Sequence, residues 1–251
     1  MNHKTAFITG ATSGIGKATA QLFAQNKIRL ILCGRRGDRL TEIKSELGKL
    51  TDVTTLQFDV SNKDEVFNSI ASLPKEFQHI DILINNAGNA HGLSTIQEGN
   101  MDDWDAMLDI NVKGLLYVSR AILPQMVERN EGFVVNIGSI AGKEVYPNGN
   151  VYCASKYAVN ALNKAMRIDL NKHHIRVSAI HPGAVETEFS EVRFKGDKEK
   201  AKNVYKGFRA LQPEDIADII YFVVTRPYHV NIEDLIVYPT AQASATIMNR
   251  V

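Results

Sequence analysis

Short apolar stretches alternate with longer stretches of helical period along the chain, and this alternation limits the possible folds most strongly. The short stretches predict strands at residues 4–9, 29–33, 54–58, 80–84, 133–137, 175–180 and 232–237. The longer stretches predict helices at residues 14–25, 38–47, 63–71, 101–123, 151–170 and 212–224, the fourth ending near Pro124. Apolar strands separated by helices indicate a parallel sheet that is covered on both faces.

Right-handed crossovers between such strands give an α/β fold, a single Rossmann-type doubly wound parallel sheet with helices on both faces. Ligands of this architecture lie at the C-terminal ends of the strands. The chain contains no internal repeat, low-complexity tract or linker, so we expect residues 1–251 to form one domain. Residues 184–210 are polar and lack a strand pattern, and we expect a substrate lid there.

Charge and cysteine content narrow the class of protein. The chain has 29 basic and 28 acidic residues, so neither nucleic acid nor a membrane surface is an expected partner. It has no apolar run of membrane-spanning length, and residues 1–4 show no signal-peptide core. Two cysteines, Cys33 and Cys153, are too few for a disulfide framework and favour the cytoplasm. No residues show metal-ligand spacing, so no metal is expected.

A glycine-rich turn follows the first predicted strand. Residues 9–16 read TGATSGIG, which spaces Gly10, Gly14 and Gly16 directly before a helix. Glycines permit a tight turn and let backbone N–H groups approach a pyrophosphate at the positive end of the helix. A glycine cluster alone can also be a plain turn, but its position between a strand and a helix favours a phosphate-binding loop.

The end of the second predicted strand is expected to meet the adenosine ribose of a dinucleotide. An NAD-binding protein places Asp or Glu there to accept a hydrogen bond from the 2′-hydroxyl. This chain has Gly34 instead, followed by Arg35 and Arg36. Guanidinium groups suit a 2′-phosphate because they are permanently charged, forked donors. The alternative is a solvated pair of loop arginines, and NADP(H) is the predicted cofactor.

Four further residues indicate acid–base chemistry on a carbonyl. Tyr152 and Lys156 are four residues apart and share one face of a predicted helix, where the cation can stabilise a phenolate. Such a pair alone is also typical of an ordinary helix surface. Ser139, however, directly follows the fifth strand, where its hydroxyl faces the ligand crevice. Asn111 lies on the preceding helix, and a buried Asn there needs hydrogen-bond partners such as water or backbone.

With these motifs in their order and spacing, the chain resembles the classical short-chain dehydrogenase/reductase family over essentially its whole length. Asp59-Val60, the run 85–88 (NNAG) and Pro182-Gly183 complete the match. The resemblance implies that Tyr152 is the catalytic acid/base and that Ser139 orients the carbonyl. It also implies that Lys156 binds the nicotinamide ribose and lowers the tyrosine pKa, and that Asn111 holds a proton-relay water. It assigns cofactor contacts to Gly10, Thr12, Ser13, Gly14, Ile15, Gly16, Arg35, Arg36, Asp59, Val60, Asn86, Ala87, Gly88, Tyr152, Lys156, Pro182, Gly183, Val185 and Thr187.

The C-terminal third is similar to one branch of that family, the NADP-dependent 3-hydroxy acid dehydrogenases. The similarity rests on residues 188–197, 228–232 and 238–242, although residues 238–242 read YPTAQ where the branch usually has MPVTQ. The branch implies a homotetramer and short substrates such as serine, allo-threonine, 3-hydroxypropionate and malonic semialdehyde. Ser139 with Arg193 and Lys195 would then bind the substrate, the two cations attracting its carboxylate.

Other interpretations stay open at this point. Arg193 and Lys195 can equally be solvated helix charges. A reductase of the same fold could act on sugars, steroids or acyl thioesters, with a larger and less charged pocket. A nucleotide-sensing protein that has lost catalysis is a further alternative, but such proteins typically lack the Tyr or the Lys, and both are present here.

Overall fold

The computed structural model describes residues 4–251, so the expectation for residues 1–3 lies outside the described part of the chain. Seven parallel strands form one sheet in the order β3-β2-β1-β4-β5-β6-β7. The strands are β1 Thr5–Thr9, β2 Arg29–Gly34, β3 Val53–Gln57, β4 Ile82–Asn85, β5 Gly132–Ile137, β6 Ile175–Pro182 and β7 Asp234–Val237. The predicted doubly wound parallel sheet is confirmed, and the predicted strands agree with the observed ones to within two residues at each end.

The helices lie between the strands, as predicted. They are α1 Gly14–Gln25, α2 Gly37–Leu47, α3 Lys63–Ala71, α4 Met101–Leu108, α5 Leu115–Arg129, α6 Asn150–Leu170, α7 Phe189–Arg193, α8 Lys198–Asn203 and α9 Pro213–Val224. The region 184–210, expected to be a lid, contains the two short helices α7 and α8. No helix within residues 4–251 is long and apolar enough to cross a membrane.

The helix expected at residues 101–123 differs from the prediction in two ways. A π-helical segment, Asp109–Gly114, separates α4 from α5, and the helical run continues beyond Pro124 to Arg129. Pro124 removes one backbone donor, but it lies on the exposed face, where the unpaired carbonyl one turn earlier can face water. The helix ends instead at Asn130, whose left-handed backbone (φ +52°) is a common helix terminus.

Alternation along the buried strands divides the core into two layers. Ile8 and Leu32 point to the face covered by α1, α2 and α9, and Phe7 and Ile31 point to the face covered by α3, α5 and α6. The inner strands are therefore buried on both faces, which explains their apolar runs in the sequence, whereas the edge strands β3 and β7 are only partly buried. All seven strands are parallel, so their C-terminal ends meet at one edge, and the strand order reverses between β1 and β4.

Candidate active site

A cleft of about 630 Å³ runs along the C-terminal edge of the sheet. Most of the residues predicted to bind cofactor or substrate line it, namely Gly10, Thr12, Ser13, Gly14, Ile15, Arg35, Arg36, Asp59, Val60, Asn86, Ala87, Gly88, Ser139, Tyr152, Lys156, Pro182, Gly183, Val185, Thr187 and Arg193. Three predicted site residues, Gly16, Asn111 and Lys195, do not line it. The cleft therefore joins the glycine-rich turn to the Tyr-Lys pair.

The glycine-rich turn has a backbone that requires glycine. Gly10 and Gly14 have φ values of +65° and +52°, in the left-handed region that side chains disfavour. Gly16 lies behind the turn, where a Cβ would stand 2.5 Å from the Asn86 side chain. Asn86 in turn donates to the Thr9 carbonyl at 2.8 Å, which ties the turn to the end of β4. This close-packed turn at the start of α1 fits a dinucleotide pyrophosphate.

Two arginines, each close to a carboxylate, lie at the end of the cleft where the adenosine is expected. The Arg36 guanidinium donates to the hydroxyls of Thr12 and Ser13 at 2.9 and 2.7 Å, so it stands over the glycine-rich turn. Its other arm meets a carboxylate oxygen of Glu188 at 2.8 Å. Arg35 is 62% exposed and lies 3.5 Å from Asp59. Both predicted arginines therefore reach the position where a 2′-phosphate is expected.

Glu188 was not identified from the sequence. Its carboxylate bonds Arg36 and also Arg39, the latter at 2.7 Å. Partial burial raises the pKa of Glu188, but the two guanidinium groups outweigh this and hold it below its ordinary value. An ionised carboxylate near the start of the region 184–210 thus pairs with Arg39 and with Arg36, which lines the cleft.

The middle of the cleft is built from strand ends and the chain that follows them. The Thr9 hydroxyl accepts hydrogen bonds from the backbone N–H groups of Asn86 and Ala87, both at 2.9 Å. On the opposite side, Gly183 donates to the Val237 carbonyl at 2.7 Å. Thr187 packs against Gly14, where a Cβ would lie 3.2 Å from the threonine methyl. These contacts hold the two walls of the cleft to the sheet.

Tyr152, Ser139 and Lys156 lie together at the far end of the cleft. Burial raises the pKa of Tyr152 above its ordinary value, while the nearby Ser139 hydroxyl and the Arg193 charge act in the opposite direction. The Lys156 ammonium donates to the Ile137 carbonyl at 3.0 Å, and burial lowers its pKa to about 8. The phenol is therefore protonated at neutral pH, and the proposed effect of Lys156 on its pKa stays a prediction.

Asn111 is fully buried within the π-helical segment, and its side chain forms hydrogen bonds with the backbone of Asn89. Its side chain accepts from the Asn89 N–H at 2.8 Å and donates to the Asn89 carbonyl at 2.9 Å. It also donates to the Ser155 hydroxyl, which donates to the Tyr152 carbonyl at 2.8 Å. This chain connects Asn111 to the first turn of α6. The expected role with a proton-relay water stays a prediction.

Arg193 and Lys195 occupy different environments, although they are two residues apart. The Arg193 guanidinium lies 5.1 Å from the centre of the Tyr152 ring and donates to the Tyr146 hydroxyl at 2.6 Å. Lys195 points away from the cleft, is 59% exposed and pairs with Asp103 at 3.0 Å. Of these two cations the structure thus brings only Arg193 to Tyr152, because the chain turns at Lys195 with a left-handed φ of +53°.

Two aromatic residues near Tyr152 are not predicted from the sequence as site residues. Phe189 packs on Tyr152 with ring centres 5.6 Å apart, and Tyr146 carries the hydroxyl that holds Arg193. Both lie outside the regular patterns, at the start of a short helix and in a turn. Their nearness to the phenol narrows this end of the cleft. Among residues 4–251, no three His, Cys, Asp or Glu side chains are grouped closely enough to hold a metal ion.

The sequence and the fold of this chain are similar to those of known proteins. The short chain dehydrogenase family matches residues 4–198. An NADP-dependent 3-hydroxy acid dehydrogenase of Salmonella typhi is 46% identical over 239 residues, covering 95% of this chain and 96% of that protein. One of Schizosaccharomyces pombe is 46% identical over 253 residues, covering 100% and 98%. The closed form of a serine dehydrogenase complexed with NADP⁺ superimposes with a TM-score of 0.93 at 45% identity, covering 97% of this chain and 98% of that one. The chain therefore belongs to the short-chain dehydrogenase family.

Proposed function

We propose that this enzyme transfers a hydride between NADP(H) and a short hydroxy acid, with Tyr152 as the acid/base. The observation that carries the substrate class is Arg193, a cation directly over the ring of the catalytic tyrosine. A carboxylate bound there would place the neighbouring carbinol carbon beside the phenol. The names of the relatives, 3-hydroxy acid dehydrogenase and serine dehydrogenase, support the same class.

The cofactor end of the cleft supports NADP(H) rather than NAD(H). Gly34 leaves no carboxylate at the end of β2 to pair with a ribose 2′-hydroxyl, and a Cβ there would press on Thr12 at 3.0 Å. Arg35 and Arg36 supply the charge for a 2′-phosphate. The turn at Gly10 and Gly14 holds the pyrophosphate. When bound, the nicotinamide supplies or accepts the hydride.

The side chains at the far end of the cleft supply the proton and the orientation. In the direction of reduction, the Tyr152 hydroxyl donates its proton to the carbonyl oxygen as the alcohol forms. In the direction of oxidation, the phenolate oxygen of Tyr152 takes the proton of the substrate hydroxyl. Ser139 donates a hydrogen bond to the same substrate oxygen and fixes its position. Lys156 binds the nicotinamide ribose. Its side-chain amine, when protonated, stabilises the phenolate form of Tyr152.

Arg193 has the properties of a carboxylate-binding residue. It is half-buried, it keeps donors beyond those used for Tyr146 and Gly92, and no carboxylate within residues 4–251 pairs with it. Guanidinium binds carboxylate through two parallel hydrogen bonds, which also fixes orientation. Its charge lies close to Tyr152, so it also lowers the phenol pKa and favours proton uptake during oxidation.

The finer substrate assignment is serine, allo-threonine, and 3-hydroxypropionate with its product malonic semialdehyde. These are short molecules with the carboxylate carbon two bonds from the carbon that is oxidised or reduced, which fits a pocket narrowed by Tyr146 and Phe189. The test measures kcat/KM for 3-hydroxypropionate and for its uncharged amide analogue, 3-hydroxypropionamide. Each substrate is assayed once with NADP⁺ and once with NAD⁺. We expect the acid to exceed the amide at least tenfold in kcat/KM and NADP⁺ to be preferred. Equal values for acid and amide would overturn the substrate class, and better turnover of sugars, steroids or acyl thioesters would favour a different reductase.

The branch resemblance extends to assembly and location. Exposed apolar side chains on α5 and α6, among them Leu116 (39% exposed) and Ile168 (69%), support association of copies as a homotetramer. Light scattering on the purified protein tests this, and a monomer at micromolar concentration would exclude it. Cys33 and Cys153 are both buried free thiols, in keeping with the cytoplasm. Fractionation of cells tests the location.

A further inference from the structure

A set of polar residues around the buried side chain of His181 lies directly behind Ser139. His181, at the C-terminal end of β6, is completely buried, and its Nδ1 lies 3.2 Å from the Ser139 carbonyl oxygen. The ring fits there only because residue 138 is glycine, since a Cβ at Gly138 would stand 2.3 Å from Nδ1. This contact belongs to the peptide of Ser139, whose hydroxyl is proposed to bind the substrate oxygen.

The other side of the imidazole ring faces an ion pair. His181 Nε2 lies 3.4 Å from one Asp234 oxygen and makes no hydrogen bond. The other Asp234 oxygen accepts from the Lys143 ammonium at 2.5 Å, and Lys143 also donates to the Asn160 side chain at 2.9 Å. Asp234 is therefore neutralised without a proton from His181.

The protonation state of the ring follows from these neighbours. A carbonyl oxygen only accepts hydrogen bonds, so the contact with Ser139 requires a proton on Nδ1. A second proton on Nε2 would put a full charge in a buried site, where Asp234 favours that charge and the cations Lys143 and Lys156 oppose it. Burial, the largest effect, lowers the pKa of His181 to about 4. At neutral pH the ring is neutral, with its proton on Nδ1.

We propose that His181 is a positioning residue for the reaction: its Nδ1–H holds the Ser139 carbonyl and thereby sets the direction of the Ser139 hydroxyl. The second constraint on Ser139 is the Ala141 N–H, which donates to the hydroxyl oxygen at 3.1 Å. Carbonyl and side chain are thus fixed from opposite sides. Pro182 and Gly183 follow His181 and line the cleft, but they are tied separately to β7, where the Gly183 N–H donates to the Val237 carbonyl at 2.7 Å. This inference rests on the proposed role of Ser139.

A double-mutant cycle tests the proposal. His181→Phe keeps an aromatic ring but removes the donor, and His181→Asn restores a donor near the Nδ1 position. We expect kcat to fall about tenfold or more in His181→Phe and to recover in part in His181→Asn, because a small misplacement of a reacting group costs catalysis. NADPH affinity, measured by fluorescence titration, should change less than twofold. In the Ser139→Ala background, His181→Phe should reduce kcat by less than twofold.

The outcomes separate the inference from the proposed function. An equal fold-loss from His181→Phe with and without Ser139 would make His181 merely structural and overturn the proposal. Ser139→Ala with wild-type kcat would instead contradict the proposed function itself. If the variants do not fold, ¹⁵N NMR of the wild-type imidazole decides: a neutral ring with the proton on Nδ1 at pH 7 supports the inference, and an imidazolium or a proton on Nε2 overturns it.

Discussion

Replacing Arg193 by Ala removes the cation beside Tyr152 and gives two separable results. A hydrogen bond to a charged group contributes about 1.5–3 kcal/mol, so kcat/KM for 3-hydroxypropionate should fall by about 10- to 150-fold. The uncharged 3-hydroxypropionamide has no partner for the guanidinium and should lose less than about threefold. The acid-to-amide preference of the wild type should therefore largely disappear.

The same substitution has a second consequence, for pH dependence. The Arg193 charge lowers the Tyr152 pKa, so its removal raises that pKa. Oxidation requires the phenolate, so kcat/KM for oxidation rises with pH as the Tyr152 phenol loses its proton. In Arg193→Ala this rise in kcat/KM for the amide should therefore occur at higher pH. The assay is NADP⁺ reduction followed at 340 nm over a pH series, with initial rates for both substrates.

Lys195→Ala is the matched control for Arg193→Ala. It removes a cation two residues away that pairs with Asp103 outside the cleft. It should therefore leave unchanged both the ratio of kcat/KM for acid and amide and the pH at which kcat/KM rises. The reasoning is refuted if Arg193→Ala lowers kcat/KM for acid and amide equally and leaves the pH of that rise unchanged. A large effect of Lys195→Ala alone would transfer the carboxylate-binding role to Lys195.

Three further predictions concern the cofactor site and the buried histidine. Removing Arg35 and Arg36 together should weaken NADPH about tenfold or more and NADH little, by fluorescence titration; equal losses would make the arginines structural. Glu188→Gln should tighten NADPH about two- to fivefold and leave NADH unchanged, because the exposed carboxylate competes with the 2′-phosphate for Arg36; weaker binding would mean that Glu188 orients Arg36 instead. The folded-state pKa of His181 is about 4, below its ordinary value of 6.5, so the unfolded chain takes up this proton first and stability falls as pH drops from 6.5 towards 4. This loss amounts to about 3 kcal/mol of unfolding free energy at most. In denaturant titrations over a pH series, the free energy of unfolding of His181→Phe should therefore fall less steeply between pH 6.5 and 4 than that of the wild type. The same pH dependence in both proteins would exclude the neutral buried ring.

The sequence predicted the sheet because its inner strands are buried on both faces, so most of their positions are apolar and the runs stand out. The ends of those strands carry Gly10, Ser139 and Pro182, and a parallel sheet brings such ends together without any further information. Helical spacing puts Tyr152 and Lys156 on one face, and the position of Ser139 at a strand end distinguishes this pair from an ordinary helix surface. These parts of the site depend on local patterns and on topology.

The remaining features depend on contacts that no local pattern records. Pro124 is tolerated inside α5 because its position happens to be exposed, and the π-helical turn at Asp109–Gly114 has no periodic signature. Arg193 and Lys195 are equivalent cations in the sequence, and only the fold of the lid separates them. Glu188, Tyr146 and Phe189 reach the cleft from irregular segments. His181 directly follows the strand predicted at residues 175–180, and its proposed role depends on Gly138 and Asp234, which lie far from it along the chain.

The most direct test of the account is the turnover of Tyr152→Phe, measured beside its NADPH affinity. The substitution keeps the ring that packs on Phe189 and removes only the hydroxyl that carries the proton. We predict a fall in kcat of about 10²-fold or more for a hydroxy acid that the wild type oxidises, with the dissociation constant of NADPH within twofold of wild type. Turnover above half of the wild-type value, with the cofactor still bound, would contradict the central claim.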